Sequence, residues 1–148
     1  MKTYLVKQVV RFAHCDPAGI IFYPRFFEIL NGIVEDWFSD ALGCSFGVML
    51  KDYGIGTPLV DVHAEFLKPC FLDDILESAF LLTYLGNSSA KFAVKCYVSG
   101  HLNIKAEGVL VCSKRDLSAS RPWPKHIVSE MENFVHSKPI GAVKNELG

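Results

Sequence analysis

The sequence predicts an α+β domain, with one long, strongly apolar helix laid against an antiparallel sheet. Three observations predict it. Between residues 26 and 38 the apolar positions recur at spacings of three and four, which is the period of one helical face. From residue 59 onward the pattern changes to four β-type runs separated by short turn signals, a pattern that favours antiparallel pairing. The 148 residues are half apolar, enough for one core and the size of one ordinary domain, so residues 1–148 are read as a single domain.

Residues 4–12 (YLVKQVVRF) are β-branched and aromatic with partial alternation and read as a first strand. The segment from His14 to Gly19 then brings Pro17 and Gly19 close together, a turn signal. In the helix that follows, Phe26, Ile29, Leu30, Ile33, Val34, Trp37 and Phe38 share a face, with Phe27 beside it. So apolar a helix is expected to be wrapped on much of its circumference. Pro24 suits the first turn and Gly43 the position just past the end. Residues 45–52 suit a short helix. The four runs 59–67, 75–85, 90–100 and 102–113 are separated by turns at Asp73-Asp74, Gly86-Asn87 and Ser99-Gly100-His101, which reads as a meander. Both faces of the second run are fairly apolar, so one is expected to meet the helix and the other a partner chain. Beyond Pro122 and Pro124, the positions Ile127, Met131, Phe134 and Val135 suit a short amphipathic helix, and the tail to Gly148 is expected to fray.

Composition excludes several classes. With 15 Lys and Arg against 16 Asp and Glu, there is no electrostatic footprint for nucleic acid or an anionic membrane. The five cysteines (Cys15, Cys44, Cys70, Cys96, Cys112) are odd in number and form no C-x-x-C. They fit neither a disulfide framework nor a zinc site, and read as reduced thiols of a cytoplasmic protein. The N-terminal residues lack the continuous apolar run of a signal peptide, and no stretch reaches the ~18 apolar residues of a membrane span. Motifs for phosphate loops, dinucleotide folds, zinc proteases and serine hydrolases do not occur. Neither a metal nor a cofactor is expected.

The chemistry is concentrated between Arg11 and Trp37. Asp16 stands on the Pro/Gly turn before the helix, so the unpaired N–H groups of the first helical turn and the positive end of the helix dipole are expected near its carboxylate. Such donors stabilise an oxyanion. Asp is equally a favoured N-cap and turn residue, so a purely structural role explains Asp16 as well. His14 reads as structural at a strand end, and Cys15, with no basic partner nearby in sequence, as a small buried residue.

Residues 15–24 (CDPAGIIFYP), with Gly56-Thr57-Pro58 and Asp73-Asp74 further on, resemble the 4-hydroxybenzoyl-CoA thioesterase family of the hot-dog superfamily. The resemblance implies an antiparallel sheet wrapped around a long central helix, in dimers that share a sheet and usually pair into tetramers. It implies hydrolysis of an acyl-CoA substrate to the free acid and CoA. Asp16 is then the catalytic carboxylate, which either adds to the thioester carbon to give an anhydride or removes a proton from water. The backbone N–H of Tyr23 is the implied oxyanion donor.

Thr57 and His63 fall in a region that in this family faces the partner subunit's active site, and both also suit an ordinary strand surface. Asn31 stands where the benzoyl-specific members carry a carboxylate, and Leu85-Gly86-Asn87-Ser88 replace an aromatic followed by basic residues. The acyl pocket is therefore expected to differ, although Asn31 also fits a satisfied polar residue of the helix. Candidates for the CoA phosphates are Arg25, Lys68, Lys91 and Arg115, each also consistent with a solvated surface charge. The alternative on the same fold is a non-hydrolytic acyl-CoA or acyl-carrier binding subunit. A hydratase would pair an Asp with a His on or near the helix, and this helix contains no His.

Overall fold

The computed structural model describes residues 1–136. After strand β1 (Tyr4–Val9) the chain tightens into a 3-10 turn over Phe12–His14. This shortens the first strand that the composition of residues 4–12 predicts, because the backbone bonds turn inward there instead of reaching a neighbouring strand. Helix α1 (Tyr23–Asp36) buries Phe26, Ile29, Leu30, Ile33 and Val34, the face that the spacing predicts. It does not stop at Asp36. A wider π turn over Trp37–Ala41 continues it and adds Trp37 and Phe38 to the buried stripe. Gly43 then reverses the chain at φ +63°, a left-handed value that glycine adopts at little cost. Ser45 caps the short helix α2 (Phe46–Val48) by accepting from Val48 N–H at 3.2 Å.

The remaining strands are β2 (Ile55–Gly56), β3 (Leu59–Phe66), β4 (Ile75–Leu85), β5 (Ser89–Val98), β6 (His101–Val111) and β7 (Ser113–Lys114), followed by helix α3 (Lys125–Met131). β2 and β7 form a small ribbon, and the main sheet runs β1-β4-β5-β6-β3 with every neighbouring pair antiparallel. The β5–β6 hairpin turns on Ser99 and Gly100, at φ +49° and +79°, the pair of positive values that a two-residue hairpin matching the strand twist requires.

A meander through all four runs is not what forms. β4, β5 and β6 follow one another, but β3 pairs with β6 at the far edge. The link 67–74 is too long for a tight hairpin and instead runs past the start of α1, where its backbone finds partners in Asn103 and Ile21.

The core lies between α1 and the inner face of the sheet. Trp37 packs on Phe80 at 4.7 Å between ring centroids, and Phe80 stacks on Phe92 at 5.4 Å. Phe92 in turn lies over Gly108, where an added Cβ would sit 2.6 Å from the ring and 3.0 Å from Leu59 Cδ1. Since Phe92 is only 1% exposed, it has nowhere to move. Gly108→Ala is therefore expected to lower the free energy of unfolding by about 1–3 kcal/mol, the range for an overpacked core. A urea titration with unchanged slope would read this out.

Candidate active site

Asp16 sits at the tip of a small loop that folds back on itself before α1 begins. An antiparallel bridge joins Cys15 to Ile21, Asp16 N–H donates to Ile20 O at 3.0 Å, and Gly19 N–H donates to Asp16 O at 2.9 Å. Gly19 has φ +78°, which the tight reversal requires and glycine accepts. The loop is pinned from outside as well. Ile20 bridges to Phe71, Ile21 N–H donates to Cys70 O at 2.9 Å, and Leu72 N–H donates to Gly19 O at 2.9 Å.

Within this frame the Asp16 carboxylate divides its work. Oδ1 accepts from Ala18 N–H at 2.9 Å and from Ile20 N–H at 3.4 Å, the turn-forming use of Asp. Oδ2 makes no hydrogen bond among the described residues. The structural reading of Asp16 is thus realised by one oxygen, and the other is unengaged.

The start of α1 supplies the opposite polarity. Phe22 N–H donates to His14 O at 2.9 Å, and Arg25 and Phe26 N–H both donate to Phe22 O. Pro24 has no N–H. That leaves the amide of Tyr23, which has no acceptor among the described residues. Asp16 and Tyr23 line one cleft of about 490 Å³ whose walls include Phe66, Lys68, Cys70 and Ile104. The Tyr23 side chain is exposed and is not a core aromatic.

The other predicted residues fall elsewhere in the single chain. Asn31 and Thr57 share a smaller groove of about 60 Å³ with Phe27, Leu30, Leu59 and Phe92. Asn31 is exposed there and has no hydrogen-bond partner among the described residues, so it is not a satisfied core amide. His63 and Lys91 lie in a third groove of about 230 Å³, on the sheet face away from α1, and Lys91 Nζ sits 5.8 Å from the centre of the Tyr84 ring. Arg25 pairs with Glu28 at 2.8 Å on the exposed side of α1. The N–H of Arg115 donates to Gly54 O at 2.9 Å, in the loop after β7. Of the four basic candidates, Lys68 is the one that lines the same cleft as Asp16.

Cys15 is half-buried, and its thiol donates to Arg11 O at 3.4 Å. Burial pushes the thiols of Cys15 and Cys70 up, and those of Cys96 and Cys112 to about 11. None of these is a ready thiolate nucleophile. Among the described residues no cluster of three or more His, Cys, Asp or Glu is placed to hold a metal, and no helix is long and apolar enough to cross a membrane.

Residues 10–131 match the thioesterase-like superfamily. The chain belongs to that superfamily. Over 76 residues this thioesterase is 29% identical to a 4-hydroxybenzoyl-CoA thioesterase of Pseudomonas sp. (strain CBS-3), an alignment covering 51% of this chain and 54% of the relative, about half its length. Over 134 residues, 88% of this chain and 87% of the other, it is 23% identical to a 1,4-dihydroxy-2-naphthoyl-CoA hydrolase of Nostoc punctiforme. Its fold superposes on the crystal structure of a 1,4-dihydroxy-2-naphthoyl-CoA thioesterase from Synechocystis with a TM-score of 0.82 at 20% identity, covering 91% of this chain and 99% of that one. The fold is the hot-dog fold that residues 15–24 suggest, and the chain is a thioester hydrolase.

One residue that sequence reading missed stands behind the cleft of this thioesterase. Asn103 is buried in β6. Its backbone O accepts from Leu67 and Lys68 N–H at 2.8 and 3.1 Å, and its Nδ2 donates to Pro69 O at 3.1 Å. The available signal was an Asn inside a strand, where that residue is disfavoured unless it has a hydrogen-bonding task. Asn103→Ala leaves Pro69 O without its side-chain donor, so a loss of about 1–3 kcal/mol is expected. The cleft wall should also loosen, and Cys70 should then react faster with a thiol reagent than in the parent protein.

Proposed function

We propose that this thioesterase hydrolyses an acyl-CoA to the free acid and CoA, with Asp16 as the reacting carboxylate and the Tyr23 amide as an oxyanion donor. The observation that supports this reading is the shared cleft: Asp16, with Oδ2 unengaged, and the unpartnered Tyr23 N–H at the start of α1 line the same wall. A thioester carbonyl placed between them would have its oxygen polarised by the amide and the helix dipole while its carbon faces the carboxylate. Oδ2 then either adds to that carbon, expelling CoA thiolate and leaving an anhydride that water opens, or takes a proton from a water that adds instead. Neither route draws on a cofactor or a metal.

The relatives named for hydroxybenzoyl and dihydroxynaphthoyl thioesters support an aromatic acyl group, as do Phe66 and the apolar walls of the cleft. Lys68 is the leading candidate to meet a CoA phosphate; Arg25, Lys91 and Arg115 are secondary. Asn31, Thr57 and His63 would enter through a second copy. β3 is an edge strand on which every residue but Ala64 is exposed, including Leu59, Val60, Val62 and Phe66, a surface of the kind that invites strand pairing. Leu59 lines the Asn31–Thr57 groove and Phe66, at the other end of the same strand, lines the Asp16 cleft. Antiparallel pairing of β3 with its copy would set one subunit's Leu59 end beside the other's Phe66 end and bring the two sites together. Dimers of this kind pairing further into tetramers is the assembly we propose.

Asp16→Asn keeps an oxygen for the Ala18 amide, so the thermal midpoint should hold while release of CoA thiol from an aryl-CoA panel falls at least 100-fold, a loss typical of removing a reacting group. Undiminished turnover would remove Asp16 from the mechanism. Sedimentation should give a dimer or a multiple of it, and a stable active monomer would dispose of the shared site.

A further inference from the structure

The geometry points to His14 as a positioning residue: its neutral ring latches the turn that presents Asp16, and protonation of the ring releases that turn, so hydrolysis is gated by pH through a side chain outside the reaction. This rests on the reading of Asp16 just given.

His14 closes on Arg11 twice. Its N–H donates to Arg11 O at 2.9 Å, and its Nδ1 accepts from Arg11 N–H at 3.0 Å. The turn is reinforced by Cys15 N–H donating to Phe12 O at 3.1 Å. On its other side, His14 O receives Phe22 N–H at 2.9 Å. The residue therefore joins the end of the β1 segment to the start of α1, with Asp16 two positions after it and Tyr23 one position after its backbone partner. A shift of this clamp changes the spacing between carboxylate and amide. Displacements on the scale of an ångström suffice to cost catalysis dearly.

The chemistry of the latch is set by the atom that takes part. A backbone N–H can point at Nδ1 only if that nitrogen carries a lone pair, so the neutral ring holds its hydrogen on Nε2. Protonation places a second N–H on Nδ1, turning the acceptor into a donor that faces the Arg11 amide. The charged groups that act on the ring are Arg11 from the preceding segment and Arg25 and Glu28 from α1. Burial first, then Arg11 and Arg25, hold the imidazolium form below its usual range, with Glu28 opposing them. A histidine whose folded-state pKa is lowered contributes fully above its unfolded value of about 6.5, and that contribution is lost as pH falls through the lower, folded value. The release thus lies on the acid side.

The test compares wild type, His14→Asn, His14→Ala and Asp16→Asn across about pH 5–8, in steady-state hydrolysis and in the amide proton shift of Arg11. Asn keeps an acceptor one bond beyond Cγ, where Nδ1 stands, and does not titrate. His14→Ala should lower kcat on the order of tenfold near pH 7.5 with KM little changed. His14→Asn should restore most of that and keep it below pH 6, where wild type declines. The Arg11 amide shift should titrate below about 6.5 in wild type and stay flat in His14→Asn. Should the alanine variant fold poorly, wild type against His14→Asn carries the comparison. An Arg11 shift that is flat in wild type, or an acid limb shared by wild type and His14→Asn, would overturn the latch. An active Asp16→Asn with a titrating Arg11 amide would instead overturn the reading of Asp16 and leave the latch standing.

Discussion

Two backbone hydrogen bonds, from Ile21 N–H to Cys70 O and from Leu72 N–H to Gly19 O, couple loops that lie some fifty residues apart in sequence, and the site depends on that coupling. They fix the Asp16 loop against the link between β3 and β4, and so fix it relative to the sheet. α1 begins within the same frame, because Phe22 N–H is committed to His14 O. The position of Asp16 relative to the Tyr23 amide is therefore decided by tertiary contact and not by the turn alone.

In the proposed reaction, that frame lets a lone carboxylate serve both structure and chemistry. One oxygen of Asp16 closes the turn on the Ala18 and Ile20 amides, which orients the other. Pro24 contributes by what it lacks: with no N–H at the second helical position, and with Arg25 and Phe26 satisfied by Phe22 O, the unpaired donor of the helix start is confined to Tyr23. The proposed reaction calls on neither a triad nor a cysteine thiolate, and burial raises the thiols of Cys15 and Cys70.

The exposed edge of β3 is what the proposed assembly rests on. Its apolar side chains are a liability in a lone subunit, yet the strand's two ends belong to two different grooves. In the proposed dimer, a contact that covers this edge would also bring the two grooves together, with the exposed Asn31 beside the partner's cleft.

The sequence by itself determined the helix face, because the spacing from Phe26 to Phe38 repeats at the helical period and needs no distant partner to be read. It also determined the turns at Gly43 and Ser99-Gly100, where local backbone conformation selects the residue type, and residues 15–24 carried the family. Only the tertiary structure decided that β3 crosses to the far edge, since strand order comes from pairing between distant residues. The length of the 67–74 link was the one local hint. It likewise decided that residues 12–14 leave the strand to form the His14 turn, and that Asn103 braces the cleft. It placed Lys68 beside Asp16 while His63 and Lys91 lie across the sheet. Each of these depends on which side chains the fold brings together, and alternation along a single strand cannot say which face another strand or loop will cover.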